Sequence, residues 1–143
     1  MNPPPRGWPR ISSALIYDDP RAAIDWLCKA FGFEVQLKVE GDGGTIEHSE
    51  LTYGGGLIMV GGPKAKFPQY QSPRAVNGRN TQSLMVYVDD VQAHCKQARA
   101  AGAVITDEPS THDYGEEYWA DLSYGCIDVE GHLWWFTQRL RGK

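Results

Sequence analysis

The sequence predicts an α+β fold of two β-α-β-β-β modules in tandem. Three observations carry that reading. Two Asp-Asp pairs, Asp18-Asp19 and Asp89-Asp90, each open an amphipathic stretch; Gly32 and Gly102 each close one; and runs with strand character fill the remainder of both halves. The two stretches "DDPRAAIDWLCKAFGFEV" and "DDVQAHCKQARAAGAVI" share the Asp-Asp start, an alanine at the fifth position and a glycine before an apolar run. Halves of this kind indicate duplication of a unit whose sheet would be half exposed alone.

Each element follows from local chemistry. The proline-rich arm from Asn2 to Pro9 supports neither helix nor central strand, so residues 1–10 are set apart and the fold begins near Ile11. "ISSALIY" reads as a strand. Asp18 and Asp19 before Pro20 make an N-cap followed by proline at the first helical position. Ile24, Leu27 and Phe31, widened by Ala23, Trp26 and Ala30, form the apolar stripe of a helix packed on a sheet. The strands "FEVQLKVE", "TIEHSELTY" and "LIMVG" follow, separated by the turns "GDGG" and "GGG". The first module therefore spans about residues 11–62, and a Gly/Pro-rich connection covers 63–80.

The second module, about 81–140, repeats the plan. "SLMVYV" is its first strand, Val91, Cys95 and Ala98 are its helix stripe, and "SYGCIDV" and "HLWWFTQ" supply its last strands. All of 11–143 is read as one domain, because 143 residues are too few for two independent ones.

Composition narrows the function. Hydrophobic residues at 41% and charged residues at 22% are the proportions of a folded chain. A net charge of -4 with scattered basic residues provides no face for phosphates, so no nucleic-acid partner is expected. No apolar run reaches the roughly 20 residues of a membrane helix. The start "MNPPPRGWPR" lacks an apolar leader, so a cytoplasmic location is expected. Cys28, Cys95 and Cys126 have no CxxC spacing, which fits reduced thiols that pack.

The paired modules, the Asp-Asp capped helix "VDDVQAHCKQARAAGA" and the ending "DVEGHLWWF" resemble the vicinal oxygen chelate superfamily, which includes glyoxalase I, extradiol dioxygenases and bleomycin-resistance proteins. The resemblance runs from about Ile11 to Gln138. It implies a cupped, partly closed mixed sheet with helices outside. It also implies that metal-dependent relatives take His, Gln or Glu ligands from the first and last strands of each module. Those positions fall here on Ser12, Met59, Ser83 and Trp135, which are not credible ligands for a catalytic metal. The expectation is a chain with no metal and no cofactor, and the four residues argue against a glyoxalase I type activity. An atypical site using His48, Glu50 or His112 has no H-x-H or H-E-x-x-H spacing behind it.

Strand alternation sends Trp134 and Trp135 to opposite faces. Trp134 and Phe136 are expected to meet the helix layer, and Trp135 to face the cup with Ser12, Met59, Ser83, Met85 and Tyr87. That surface is mostly apolar and suits a planar aromatic ligand. "THDYGEEYWADLSYG", read as a loop, adds Trp119 and other aromatics among acids, to stack on and charge-match a planar cation or to fill a subunit interface. His94 is placed on the exposed flank of its helix, and His132 in a structural turn.

Three function classes follow: a metal-free small-molecule binder, an enzyme of the same superfamily with an atypical site, and a dimer whose cup is filled by its own side chains. The first is preferred, as a homodimer.

Overall fold

The computed structural model describes all residues from Met1 to Lys143, in two compact units, Met1–Asn77 and Gly78–Lys143. The first contains β1 (Ser13–Ile16), α1 (Pro20–Phe31), β2 (Glu34–Glu40), β3 (Ile46–Tyr53) and β4 (Gly56–Gly61); the second contains β5 (Leu84–Tyr87), α2 (Val91–Ala100), β6 (Val104–Asp113), β7 (Ala120–Ile127) and β8 (Leu133–Arg141). The sheets have the orders β1-β4-β3-β2 and β5-β8-β7-β6. In each, the first strand runs parallel to the last, and the other neighbours are antiparallel. The fold is α+β, with the β-α-β-β-β plan used twice.

The helices start where side-chain oxygens meet their unsatisfied first-turn N–H groups. Asp19 accepts from Ala22 N at 3.1 Å, and Asp90 from Ala93 N at 3.0 Å. The second aspartate of each pair is therefore the cap. Gly32, at φ 87°, takes the left-handed conformation that ends α1, and its N–H bonds Cys28 O at 3.1 Å. Gly102 follows α2 at φ 103°.

Each helix buries one stripe against one face of its own sheet. In the first unit Ile24, Leu27 and Phe31 pack with the buried Leu15, Tyr17, Leu51 and Val60. In the second, Val91, Cys95 and Ala98 are buried with Tyr124, Cys126, Trp134 and Phe136. The Tyr124 and Phe136 rings stack at 5.3 Å, and Trp134 and Phe136 at 5.9 Å. Trp134 Nε1 donates to Asp128 Oδ2 at 2.9 Å, while Asp128 Oδ1 accepts from the N–H groups of Glu130 and His132. A buried carboxylate is tolerated here because several donors satisfy it, and it fixes the "EGH" turn into β8. All three cysteines are free, and burial pushes the Cys126 thiol up to about 12, so it stays protonated.

Two expectations are corrected. The segment read as a loop from Thr111 to Gly125 is largely strand: β6 continues to Asp113, β7 begins at Ala120, and Tyr114 N bonds Trp119 O across the tip at 2.9 Å. His94 is half-buried rather than exposed. Its Nδ1 lies 2.6 Å from the Tyr124 hydroxyl and its ring 4.2 Å from that of Phe136. It occupies the margin of the helix stripe, where a hydroxyl from a distant strand gives it a partner. No helix is long and apolar enough to cross a membrane.

Candidate functional site

The sheet face opposite each helix carries the candidate residues. In the second unit β8 sends Trp134 and Phe136 to the helix side and Trp135, Thr137 and Arg139 to the other. Register sets Met85 and Gly125 beside Trp135, and Tyr87 and Ser123 beside Thr137. Gly125 has a negative φ, so its value lies in size rather than conformational freedom. A Cβ there would stand 2.8 Å from Trp135 Cζ3 and 3.0 Å from Cη2. The six-membered part of the indole therefore lies down across the β7 backbone. A larger residue would force it up.

Around the indole, Met85 is 53% and Tyr87 50% exposed, so apolar surface remains available beside it. The far end of the face is polar and held rigidly. Arg139 Nε donates to Asp121 Oδ1 at 2.7 Å and its Nη2 to the Tyr87 hydroxyl at 2.6 Å. The guanidinium also sits over the Tyr87 ring at 5.5 Å and the Trp119 ring at 5.1 Å. The hydrogen bond to Asp121 raises the Arg139 pKa further above its ordinary value. Ser123 Oγ and Thr137 Oγ1 are 3.0 Å apart on the same face.

In the first unit Ala14 and Glu50 flank Met59, and Leu37 lies beyond Glu50. Glu50 is only 7% exposed. Gln36 Nε2 donates to its Oε1 at 2.9 Å, and His48 Nε2 is 2.7 Å from its Oε2. These two bonds, Gln36 first, outweigh desolvation and hold the carboxyl below the usual glutamate range. A cavity of about 170 Å³ opens at the β1–β4 end of this face, with Ile16, Met59 and His48 among its walls and Phe67 and Tyr70 from the connecting segment at its rim.

The register refines the expected positions. Ala14 and Met85 are the direct neighbours of Met59 and Trp135, whereas Ser12 and Ser83 lie two residues earlier, just before β1 and β5. The Ser12 hydroxyl is buried with no hydrogen-bond partner. A metal does not fit the four positions: Met59 offers only a thioether and Trp135 an indole ring already laid on Gly125. His48 and Glu50 engage each other, and His112 Nε2 is 3.4 Å from Ser110 Oγ on β6. Nowhere do three His, Cys, Asp or Glu side chains converge to hold a metal ion.

Sequence reasoning missed Gly125, Arg139 and the Gln36 to Glu50 contact. Arg139 could have been found by extending the Trp135, Thr137 alternation one step. The other two need the cross-strand register.

A family model for the Glyoxalase/Bleomycin resistance protein/Dioxygenase superfamily matches residues 10–136. The crystal structure of TioX from Micromonospora sp. ML1 is similar at 32% identity and TM-score 0.69, over 94% of this chain and 99% of that one. TnmS3 from Streptomyces sp. CB03234, described as an antibiotic-binding protein, shares the fold at 15% identity and TM-score 0.62, over 90% of this chain and 93% of its own. An uncharacterized Mycobacterium bovis protein, Mb0911c, is 29% identical over 93% of this chain and 85% of its own length.

Proposed function

The chain belongs to the Glyoxalase/Bleomycin resistance protein/Dioxygenase superfamily, and from that premise we propose that it is a metal-free binding protein for a planar aromatic small molecule. The observation that carries this reading is the Trp135 indole lying on Gly125. One face of the indole is spent on the β7 backbone. The other is offered as a flat platform, bordered by the exposed Met85 and Tyr87, with Trp119 and Arg139 at its far end. Thioether and aromatic groups gain from stacking on a π-surface without demanding a particular hydrogen-bond pattern. Ser83, just before β5, adds a hydroxyl. The antibiotic binding ascribed to TnmS3 supports the choice of ligand class. The thioether of Met59 and the indole of Trp135, at positions where metal-dependent relatives are expected to hold ligands, support the metal-free reading.

The two adjacent tryptophans supply the test. Planar probes such as naphthoquinone and anthraquinone sulfonate should quench the parent protein, and Trp135→Phe should weaken that quenching while leaving stability nearly unchanged. Trp134→Ala removes a wholly buried aromatic that also bonds Asp128, and should cost about 3 to 5 kcal/mol in denaturant unfolding. Equal destabilisation by both substitutions to alanine, with no probe quenching the parent, would mean that the face is filled by its own side chains.

A further inference from the structure

The first unit holds a second site, which shares no residue with the Trp135 platform. Its centre is an ionised carboxylate in an unusual place. Glu50 is almost fully buried on the helix-free face of a β-sheet, and its oxygens take hydrogen bonds from Gln36 and His48. A carboxylate so placed needs such partners, and it dictates their state in turn. An ionised carboxylate only accepts, so the His48 Nε2 that meets it carries the proton. In the neutral ring the lone pair is then on Nδ1, which has no protein partner. The ring is 40% exposed and borders the cavity.

The cavity itself is built for one ring. Its volume, about 170 Å³, is close to the ~150 Å³ that accommodates benzene in an apolar protein interior. Ile16 and Met59 give an apolar floor. The rim is ordered: successive turns, Phe67 N to Lys64 O and Tyr70 N to Phe67 O, both 3.0 Å, bring the Phe67 and Tyr70 rings to 5.7 Å from each other. The segment behind them is tied down, with Ser72 and Arg74 both bonded to Asp18. Lys64, a cationic residue, is part of the same lining.

We propose that this cavity binds a single-ring aromatic compound with a weakly acidic hydroxyl, a phenol or an enol, and that His48, oriented by Glu50, takes its proton. The O–H bond breaks, its electron pair stays on the ligand oxygen, and a new N–H bond forms at Nδ1. The resulting imidazolium faces the Glu50 carboxylate, and the oxyanion shares the cavity with the Lys64 ammonium. Glu47, next to His48 on β3, is the remaining ionic residue of the lining. On the neighbouring β2, Glu40 takes Arg21 of α1 at 2.5 Å and Lys38 at 3.7 Å. On β1 and β4 the facing residues are uncharged.

The probe is 4-nitrophenol, whose phenolate is yellow and whose phenol is not. At a pH below the compound's own pKa, adding the protein should raise the phenolate absorbance. His48→Gln, which keeps an amide donor for Glu50 but lacks the base, should abolish that rise. Lys64→Met should weaken binding on the order of tenfold, the loss of one charged partner. Far-ultraviolet circular dichroism establishes that each variant is folded. Binding of the probe only as the phenol, absence of binding, or a phenolate signal unchanged in His48→Gln would each overturn the proposal. Trp135→Ala separates the two sites: a signal that survives it belongs to the His48 cavity, and one lost with Trp135 but not with His48 rejects that assignment while leaving the platform standing.

Discussion

Ser12 and Gly125 show how much a single position on a sheet face can decide. A buried hydroxyl without a partner carries its desolvation cost uncompensated, and Ser12 Oγ is the buried side-chain atom in that state. Ser12→Ala should therefore raise stability by about 1 kcal/mol in denaturant unfolding. A fall of similar size would mean that the hydroxyl is bonded in solution. The opposite destinations of Trp134 and Trp135 were legible in the sequence, because alternation on a strand is a local rule. Gly125 was not legible: inside "SYGCIDV" a glycine reads as a bulge or weak spot, and its pairing with a tryptophan ten residues later appears only once the β7–β8 register is known. Glu50 was similarly hidden. Nothing in "IEHSELTY" reveals that Gln36, on the adjacent strand, lets the carboxylate be buried.

At the scale of elements, helix starts and stops follow short-range chemistry and were legible to within a residue or two, the caps proving to be Asp19 and Asp90 and the second helix ending at Ala100; strand ends were not. Asp113 and Tyr114 read as loop because they sit in a polar, glycine-containing segment, yet pairing along β6 and β7 carries the strand to Asp113, where Arg141 binds its carboxylate at 2.7 Å. The connection over residues 63–80 read as a Gly/Pro-rich link. It contains a 3-10 turn at Pro73–Val76 whose cap, Ser72, is fully buried and bonded to Asp18. Two of the bonds that tie this segment down, from Ser72 and Arg74, end on Asp18, so removing that side chain should loosen it. Asp18→Ala is expected to speed limited trypsin cleavage after Arg74 and Arg79 several-fold while leaving global unfolding little changed. Unaltered cleavage would show that Asp18 is not the tether.

For the whole molecule, the open question in each sheet is its edges, which attract other strands unless blunted. β2 carries Glu34, Lys38 and Glu40, and β6 carries Pro109 and two breaks in register. The opposite edges, β1 and β5, are four residues long and have no charge or proline, "SALI" and "LMVY". The protein is therefore expected to associate as a homodimer, and equilibrium sedimentation at micromolar concentration should give twice the 15.9 kDa of one chain. A single species of one chain's mass would remove this expectation. The repeated plan also leaves a trace in the two Asp-Asp pairs. Asp19 and Asp90 do the same work, but Asp18 anchors the connecting segment while Asp89 is exposed and takes no comparable bond. A saturation scan of tolerated substitutions should accordingly be intolerant at 19 and 90 alike, restrictive at 18, and permissive at 89. The two copies would then be distinguishable by fitness alone, one aspartate recruited after duplication and its twin left to drift.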